Sequence, residues 1–406
     1  MDLLEHEIRV TFRYPVYFSR DVFAPSNPLV LKAAPSAVAP KAARILFVLD
    51  DGVDAAHPTL RESIGRYCTA HGGALQLAAP VLVIPGGEQA KNDPAPTQQI
   101  LQAIHDASLD RHSYVAAIGG GAVLDVAGYA AAMAHRGIRL IRFPTTVLAQ
   151  DDSAVGVKNG INAFGQKNYL GTFTPPFAVV NDSSFLSTLS DRDWRGGLSE
   201  AVKAALIKDH TFFDYIEERA AALAARDMTA MEQVVRRSAG LHLQHIATGG
   251  DPFEMGSSRP LDFGHWAAHK LERLTSHQLR HGEAVAIGIA LDSTYSHLCG
   301  FLAEGDWRRI LGLLSRLGLA VYAPELTHRI GEQPAILAGL DEFREHLGGR
   351  LTIMLLRAIG VPFDAHEIDK GVMLGSVEVL RSFAETHQGK DSDGQRTISA
   401  HSPGSR

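Results

Sequence analysis

Cysteine is scarce. Cys68 and Cys299 are the only two in 406 residues, too few and too far apart for a disulfide framework or a cysteine-type zinc site, and they suit a reducing compartment. Positive charge is not in excess either. Lys and Arg number 39 against 45 Asp and Glu, a net charge of −6. That excludes a broad nucleic-acid-binding face, so any anion bound is small and met locally. No apolar run approaches the ~20 residues of a membrane span. The opening "MDLLEHEIRVTFRYPVYF" is charged from residue 2 and has no signal-peptide core. Together these absences predict a soluble, cytoplasmic chain with neither nucleic acid nor membrane as partner.

What is present is ordinary globular material. The chain is 45% hydrophobic and long enough for two domains of roughly 100–200 residues. Between 44 and 180, strand-like and helix-like segments alternate: "RILFVLDDG", "TLRESIGRYCTAHG", "PVLVIPGGEQAK", "TQQILQAIHDAS", "SYVAAIGGG", "AVLDVAGYAAAMAHRG", "IRLIRFPTT". Such alternation predicts a parallel sheet with helices on both faces and ligands at the carboxyl ends of its strands. After about 190 the text reads as successive helices, so a helical second domain is expected. The expected boundaries are 1–190 for a Rossmann-like domain, 191–384 for the helical one, and 385–406 for a polar, glycine-rich tail without structure.

Several clusters bear on chemistry. Gly119, Gly120 and Gly121 separate a strand from a helix, where they either cradle a pyrophosphate or simply make a tight turn. "PGGEQAK" is a second such turn, with Glu88 and Lys91 three apart. Asp50 and Asp51 end the first strand, as ribose-hydroxyl acceptors or as turn residues. Lys158 and Lys167 bracket Asn162, with Asn168 directly after Lys167, in a glycine-rich segment read as a loop, with Asp152 just upstream; it could hold a phosphorylated sugar or be a solvated surface. Glu200 and Lys203 share one face of an apolar helix. His265 and His269 lie four apart in "FGHWAAH", and position 266 is Trp, so the HExxH protease motif is missing. With His281 of "HGEAVAIG", the residues Glu200 and His265 would form a His₂Glu set suited to zinc, although an isolated HxxxH is more often packing than metal.

As a series, "GGGAVLDVAG", "RGIRLIRFPTTVLAQDDSAVGVKNGIN", "GQKNYLG", "FLSTLSDRDWRGGLSEAVKAALI", "FGHWAAH" and "HGEAVAIG" resemble the 3-dehydroquinate synthase family of sugar-phosphate cyclases over roughly 44–365. The resemblance implies an N-terminal Rossmann-like domain, a C-terminal helical domain with the active site in the cleft, NAD, one divalent metal (zinc or cobalt), and a homodimer. It implies Glu200, His265 and His281 as metal ligands, with His269 beside the substrate phosphate. Arg136, Lys158, Lys167, Asn168 and Lys203 match substrate-binding positions, to which Arg259 is added as a candidate, and whether Arg136 acts within or across the dimer stays open. Asp152 matches an active-site aspartate. Glu88, Lys91, the Gly119–Gly121 turn, Asp125, Thr145, Thr146 and Thr188 match NAD-contacting positions, to which Asp50, Asp152 and Lys167 are added. Lys203, His269, Asp152, Lys158 and Asp262 are the catalytic candidates. The implied reaction is a carbon–oxygen lyase sequence: transient oxidation by NAD, phosphate elimination, reduction and aldol cyclisation.

The chain departs from the dehydroquinate-forming members at informative places. Asp262 stands where they carry Asn. Their arginine lies one residue further upstream of the first histidine than Arg259 does. Their upstream lysine is replaced by Gln244 or His245, and their late "DKK" by "FREHLGGRLTI" with His346 nearby. Leu124 and Val157 stand where they have glycine. Losing two cations and gaining a carboxylate disfavours an anionic carboxylate on the substrate. The expectation is a phosphorylated ketose without one, sedoheptulose 7-phosphate first, closing to a valiolone-type C7 cyclitol, as in the 2-epi-valiolone-synthase-like and ebo-cluster branch. The competing readings are a true 3-dehydroquinate synthase, a metal- and NAD-dependent alcohol or glycerol dehydrogenase, and a non-catalytic relative.

Overall fold

The computed structural model describes residues 3–36, 41–253, 256, 259–346 and 349–398. The chain divides into two compact units, Met1–Ser190 and Asp191–Arg406.

The first unit runs β1 (Val16–Ser19), α1 (Leu29–Ala33), β2 (Ala43–Asp50), α2 (Asp51–Ala56), α3 (Leu60–Ala70), β3 (Leu75–Leu77), β4 (Leu82–Ile84), α4 (Gln89–Asn92), α5 (Pro94–Asp106), β5 (Tyr114–Gly119), α6 (Gly121–Met133) and β6 (Arg139–Pro144). A π-helical turn (Ala149–Ser153), β7 (Lys158–Ala163), β8 (Gln166–Phe173) and β9 (Ala178–Asp182) follow. Seven strands form one parallel sheet in the order β1-β9-β6-β5-β2-β3, with β4 also on β2. Its central strands are buried on both faces, which is why they read as unbroken apolar runs. Side-chain alternation splits them between two cores. Ile45, Phe47, Leu49, Tyr114, Ala116 and Ile118 enter one, and Leu46, Val48, Val115 and Ala117 enter the other. Because the strands are parallel, Asp50, Ile84, Gly119 and Pro144 all end at the same edge, the edge where such sheets take ligands.

Residues 158–173, expected as a loop, form an antiparallel hairpin, β7 on β8. Phe164 and Gly165 at its tip both have positive φ, 53° and 72°, the backbone of a tight two-residue turn. Most of β8 is exposed, so it lacks the alternation that marks a half-buried strand.

The second unit contains α7 (Asp191–Lys208), α8 (His210–Ala224), α9 (Met228–Thr248), α10 (His265–Leu274), α11 (His281–Leu298), α12 (Glu304–Arg316), α13 (Ala335–His346) and α14 (Lys370–Ile398). Two small hairpins, β10 (Arg329–Ile330) with β11 (Gln333–Pro334) and β12 (Ile353–Ala358) with β13 (Val361–Ala365), complete it. Helix starts are capped as expected: Asp209 accepts from Thr211 N and Phe212 N, and Asp227 from Ala230 N. Helix α11 is buried nearly all round from Gly282 to Ser296, the mark of a central helix. Helix α14 continues through 385–398, where a structureless tail was expected. Met373, Val377 and Leu380 anchor its buried first half, and elongating a nucleated helix costs little. Residues 399–406 lie outside the described part. Among the described residues no helix is long and apolar enough to cross a membrane.

Candidate active site

In the second unit, Glu200 lies in the stretch of α7 that is buried from Gly197 to Ile207. Its Oε1 has no hydrogen-bond partner. Lys203, one turn on and equally buried, pairs its ammonium with Oε2. Oε1 faces two imidazoles, His265 Nε2 and His281 Nε2, each at 3.6 Å. The opposite ring nitrogens settle the tautomers. His265 Nδ1 lies 3.2 Å from the Phe263 carbonyl and His281 Nδ1 3.2 Å from Glu272 Oε2. A carbonyl and a carboxylate only accept, so each Nδ1 donates, which makes Nε2 the lone-pair side of each ring when it is neutral. Burial, followed by the charge of Lys203, holds His265 well below the usual imidazole range and keeps it neutral.

A carboxylate oxygen and the Nε2 atoms of two imidazoles thus converge, a donor set that a cation satisfies with both rings neutral. Ligand atoms ~2.1 Å from a tetrahedral ion stand about 3.4 Å apart, close to the 3.6 Å separations here. Glu200, His265 and His281 therefore fit a divalent metal.

Close backbone contacts make this convergence possible. A Cβ on Gly282 would lie 2.0 Å from the Gly196 carbonyl oxygen, and one on Gly288 1.9 Å from that of Gly264. Without side chains there, α11 presses on both α7 and the start of α10, carrying His281 and His265 to Glu200. Two residues not singled out in the sequence support the set. Glu272, buried, orients His281. Asp292, buried at the middle of α11, accepts from Trp266 Nε1 at 2.8 Å and Gly264 N at 3.0 Å, fixing the first turn of α10. Burial pushes its carboxyl up to about 7.

His269 stands one turn beyond His265, with ring centroids 5.7 Å from His265 and 6.1 Å from His281. It forms a second group of possible donors with Glu272 and His281. Arg259 and Asp262 sit at ion-pair distance, 4.0 Å, just ahead of α10.

In the first unit, Gly119 closes β5, Gly120 caps α6 and Gly121 opens it, so a helix N-terminus sits at the ligand edge of the sheet. Thr145 donates its N–H to the Gly119 carbonyl at 3.0 Å, and its buried hydroxyl has no hydrogen-bond partner, leaving a polar atom for a cofactor. Thr146 Oγ1 accepts from Ala149 N. Asp50 accepts from Gly52 N and Val53 N, capping α2, and burial raises its pKa. Asp152 lies in the π-helical turn, a rare form frequent at functional sites.

Lys91 is buried and gives its ammonium to Asp125 Oδ2, at 2.7 Å, and to Asn168 Oδ1. Asn162 Nδ2 donates to Glu88 Oε1 at 2.9 Å, and its Oδ1 accepts from Asn168 N at 2.8 Å. Glu88, Lys91, Asp125 and Asn168 thus form one network tying α4 and α6 to the hairpin tip. Lys158 and Lys167 are not brought together. Lys158 opens β7 opposite Phe173, whereas Lys167 lies next to the turn, roughly 13 Å along the hairpin at about 3.3 Å per residue. Thr188 Oγ1 lies 2.9 Å from His57 Nε2. Arg136 is exposed in a turn where it and His135 both have positive φ.

Comparison with known proteins adds relatives to this geometry. The models for the 3-dehydroquinate synthase N-terminal and C-terminal domains match residues 81–196 and 197–333. A protein of Ruegeria pomeroyi named 3-dehydroquinate synthase is 34% identical over 357 residues, 87% of this chain and 94% of that protein. The structure of ValA, a 2-epi-5-epi-valiolone synthase from Streptomyces hygroscopicus with NAD+ and Zn2+ bound, superposes with a TM-score of 0.82 at 29% identity, covering 93% of this chain and 99% of that one. A 2-deoxy-scyllo-inosose synthase complexed with carbaglucose-6-phosphate, NAD+ and Co2+ shares the fold, with a TM-score of 0.73 at 23% identity over 90% of this chain and 96% of that one.

Proposed function

The chain belongs to the 3-dehydroquinate synthase family, and from that premise we propose that it is a phosphate-eliminating sugar-phosphate cyclase. Its substrate is a phosphorylated ketose without a carboxylate, with sedoheptulose 7-phosphate first, and its product a valiolone-type C7 cyclitol. The cofactors are NAD and a divalent metal, either zinc, which the valiolone synthase structure holds together with NAD+, or cobalt, and the protein works as a homodimer. The observation that carries the class is the buried Glu200 oxygen facing the Nε2 atoms of two imidazoles.

NAD supplies a reversible hydride acceptor and the metal a Lewis acid. The chain's own residues do the rest. Lys203 holds a proton on Nζ against Glu200 Oε2, next to the ligand set, where a ring hydroxyl must be oriented. On the phosphate side of the substrate we place Lys158, exposed at the base of the hairpin, His269, beside the metal set, and Arg136. Lys167, beside the turn, belongs with Glu88 and Lys91 on the cofactor side. Asp152 holds a lysine or the cofactor in place.

The substrate class is supported by the Arg259–Asp262 pair. Asp262 offsets the arginine that would otherwise attract a carboxylate, and adds a negative charge that repels one. A true 3-dehydroquinate synthase is the second reading, favoured by the name of the Ruegeria relative.

Metal analysis of purified protein tests the class. Wild type is expected to retain about one divalent ion per chain and release inorganic phosphate from a sugar phosphate without steady NADH formation. Glu200→Ala and His265→Ala are expected to lose both properties. Unchanged metal content in either variant would overturn the ligand assignment, and steady NADH from a simple alcohol would favour a dehydrogenase.

A further inference from the structure

We propose that Arg142 is the positioning residue for Lys158, a buried guanidinium that locks the segment 154–159 and so fixes where the Lys158 ammonium stands. This role presupposes that Lys158 meets the substrate phosphate, as proposed above.

Arg142 lies in the middle of β6 between Ile141 and Phe143, and only 1% of it is exposed. An aliphatic residue would fill a central strand at far lower desolvation cost. The guanidinium instead gives four hydrogen bonds to one short segment. Nη1 donates to the carbonyls of Ala154 at 2.8 Å and Gly156 at 2.7 Å. Nη2 donates to the carbonyl of Lys158 at 3.0 Å and to Asn159 Oδ1 at 2.7 Å. The carbonyls between these are held from other directions. Tyr14 Oη donates to Val155 O at 2.8 Å, and Thr174 N to Val157 O at 2.9 Å. Every backbone carbonyl from Ala154 to Lys158 is therefore engaged, three of the five by Arg142.

Asn159 is fixed in turn. Its Nδ2 donates to the Thr174 carbonyl at 3.1 Å, and its Oδ1 occupies the space a Cβ on Gly128 would need, 1.8 Å away. Around this rigid backbone Val155, Val157 and Asn159 are buried, while the Lys158 side chain is exposed. The result is a cation presented from a preorganised support, which is how a site avoids ordering costs when substrate binds.

Hydrogen–deuterium exchange on the full-length protein reads the lock without any substrate. In Arg142→Met, peptides covering 154–160 are expected to exchange about tenfold faster or more, with α10 and α11 unaltered. Steady-state kinetics read the consequence: KM for the phosphorylated substrate rises about tenfold or more while kcat falls less, and NAD+ affinity stays within about twofold. Arg142→Lys, which keeps the charge and three donors, restores part of each effect. If Arg142→Met fails to fold, Asn159→Ala, which removes one acceptor, is expected to give the same pattern at smaller size. Unchanged exchange at 154–160 overturns the lock, and faster exchange with unaltered KM overturns the positioning role. If Lys158→Ala leaves KM unchanged, it is the assignment of Lys158 that fails, and the exchange measurement still decides the lock.

Discussion

Gly282 rests directly on the backbone of Gly196, so closely that a Cβ at 282 would stand 2.0 Å from the Gly196 carbonyl oxygen. This contact sets His281, one residue before, against Glu200, four residues on. Gly282→Ala would drive carbon into backbone, where no rotamer change gives relief. The expected cost is ~3 kcal/mol or more, with α11 displaced from α7 and bound metal lost. Calorimetry and metal analysis check both, and a variant with wild-type Tm and metal content would refute the close contact.

The second expectation concerns Glu272. Its carboxylate holds the His281 Nδ1 hydrogen at 3.2 Å and so aims Nε2 at the metal position. Replacing such a carboxylate typically costs roughly 10–100-fold in metal affinity. Glu272→Ala is expected to show a loss of that order, and Glu272→Gln, whose amide oxygen still accepts, a smaller one. Zinc or cobalt titration against a chelator measures it. Equal affinities in wild type and Glu272→Ala would remove Glu272 from the site.

The third concerns pH. Burial raises the Asp292 carboxyl from 3.8 to about 7, so the folded state binds this proton more tightly than the unfolded chain. That contribution to stability is whole below pH 3.8 and is lost as the pH rises through about 7. Asp292→Asn lacks it. Between pH 5 and 7, wild type is expected to lose up to ~1.4 kcal/mol per pH unit relative to the variant, with the difference levelling off above. Denaturant unfolding of both proteins across this range checks the slope, and parallel curves would contradict it.

The parallel sheet was legible because its central strands are buried on both faces, and "RILFVLD", "SYVAAIG" and "IRLIRFP" therefore read as continuous apolar runs ending in glycine, acid or proline. The hairpin at 158–173 was not, because β8 exposes almost every residue and burial imposes no period on it. The helix through 385–398 was missed for a related reason. Its composition is that of a solvated tail, and its anchor lies earlier, at Met373, Val377 and Leu380.

In the site, Glu200, His265 and His281 were named from motif resemblance, while spacing alone left them undecided across 81 residues. Their convergence depends on Gly196, Gly264, Gly282 and Gly288, whose role is invisible until two helices touch. Glu272 reads as an ordinary helix-surface acid, three residues beyond His269. Arg142 reads as one polar letter in a strand, and only three-dimensional packing shows four acceptors around it. The two lysines illustrate the opposite error. They are close in sequence, yet a tight turn places them at opposite ends of a hairpin.

Substrate choice is the central claim, and parallel assays of phosphate release test it most directly. Purified protein supplied with NAD+ and Zn2+ or Co2+ is offered sedoheptulose 7-phosphate and, separately, the seven-carbon keto-acid phosphate used by dehydroquinate-forming enzymes. Inorganic phosphate is quantified and the carbon product identified by NMR. The expected result is phosphate and a C7 cyclitol from sedoheptulose 7-phosphate, with a higher kcat/KM than for the keto acid. Phosphate release from the keto-acid phosphate alone would contradict it.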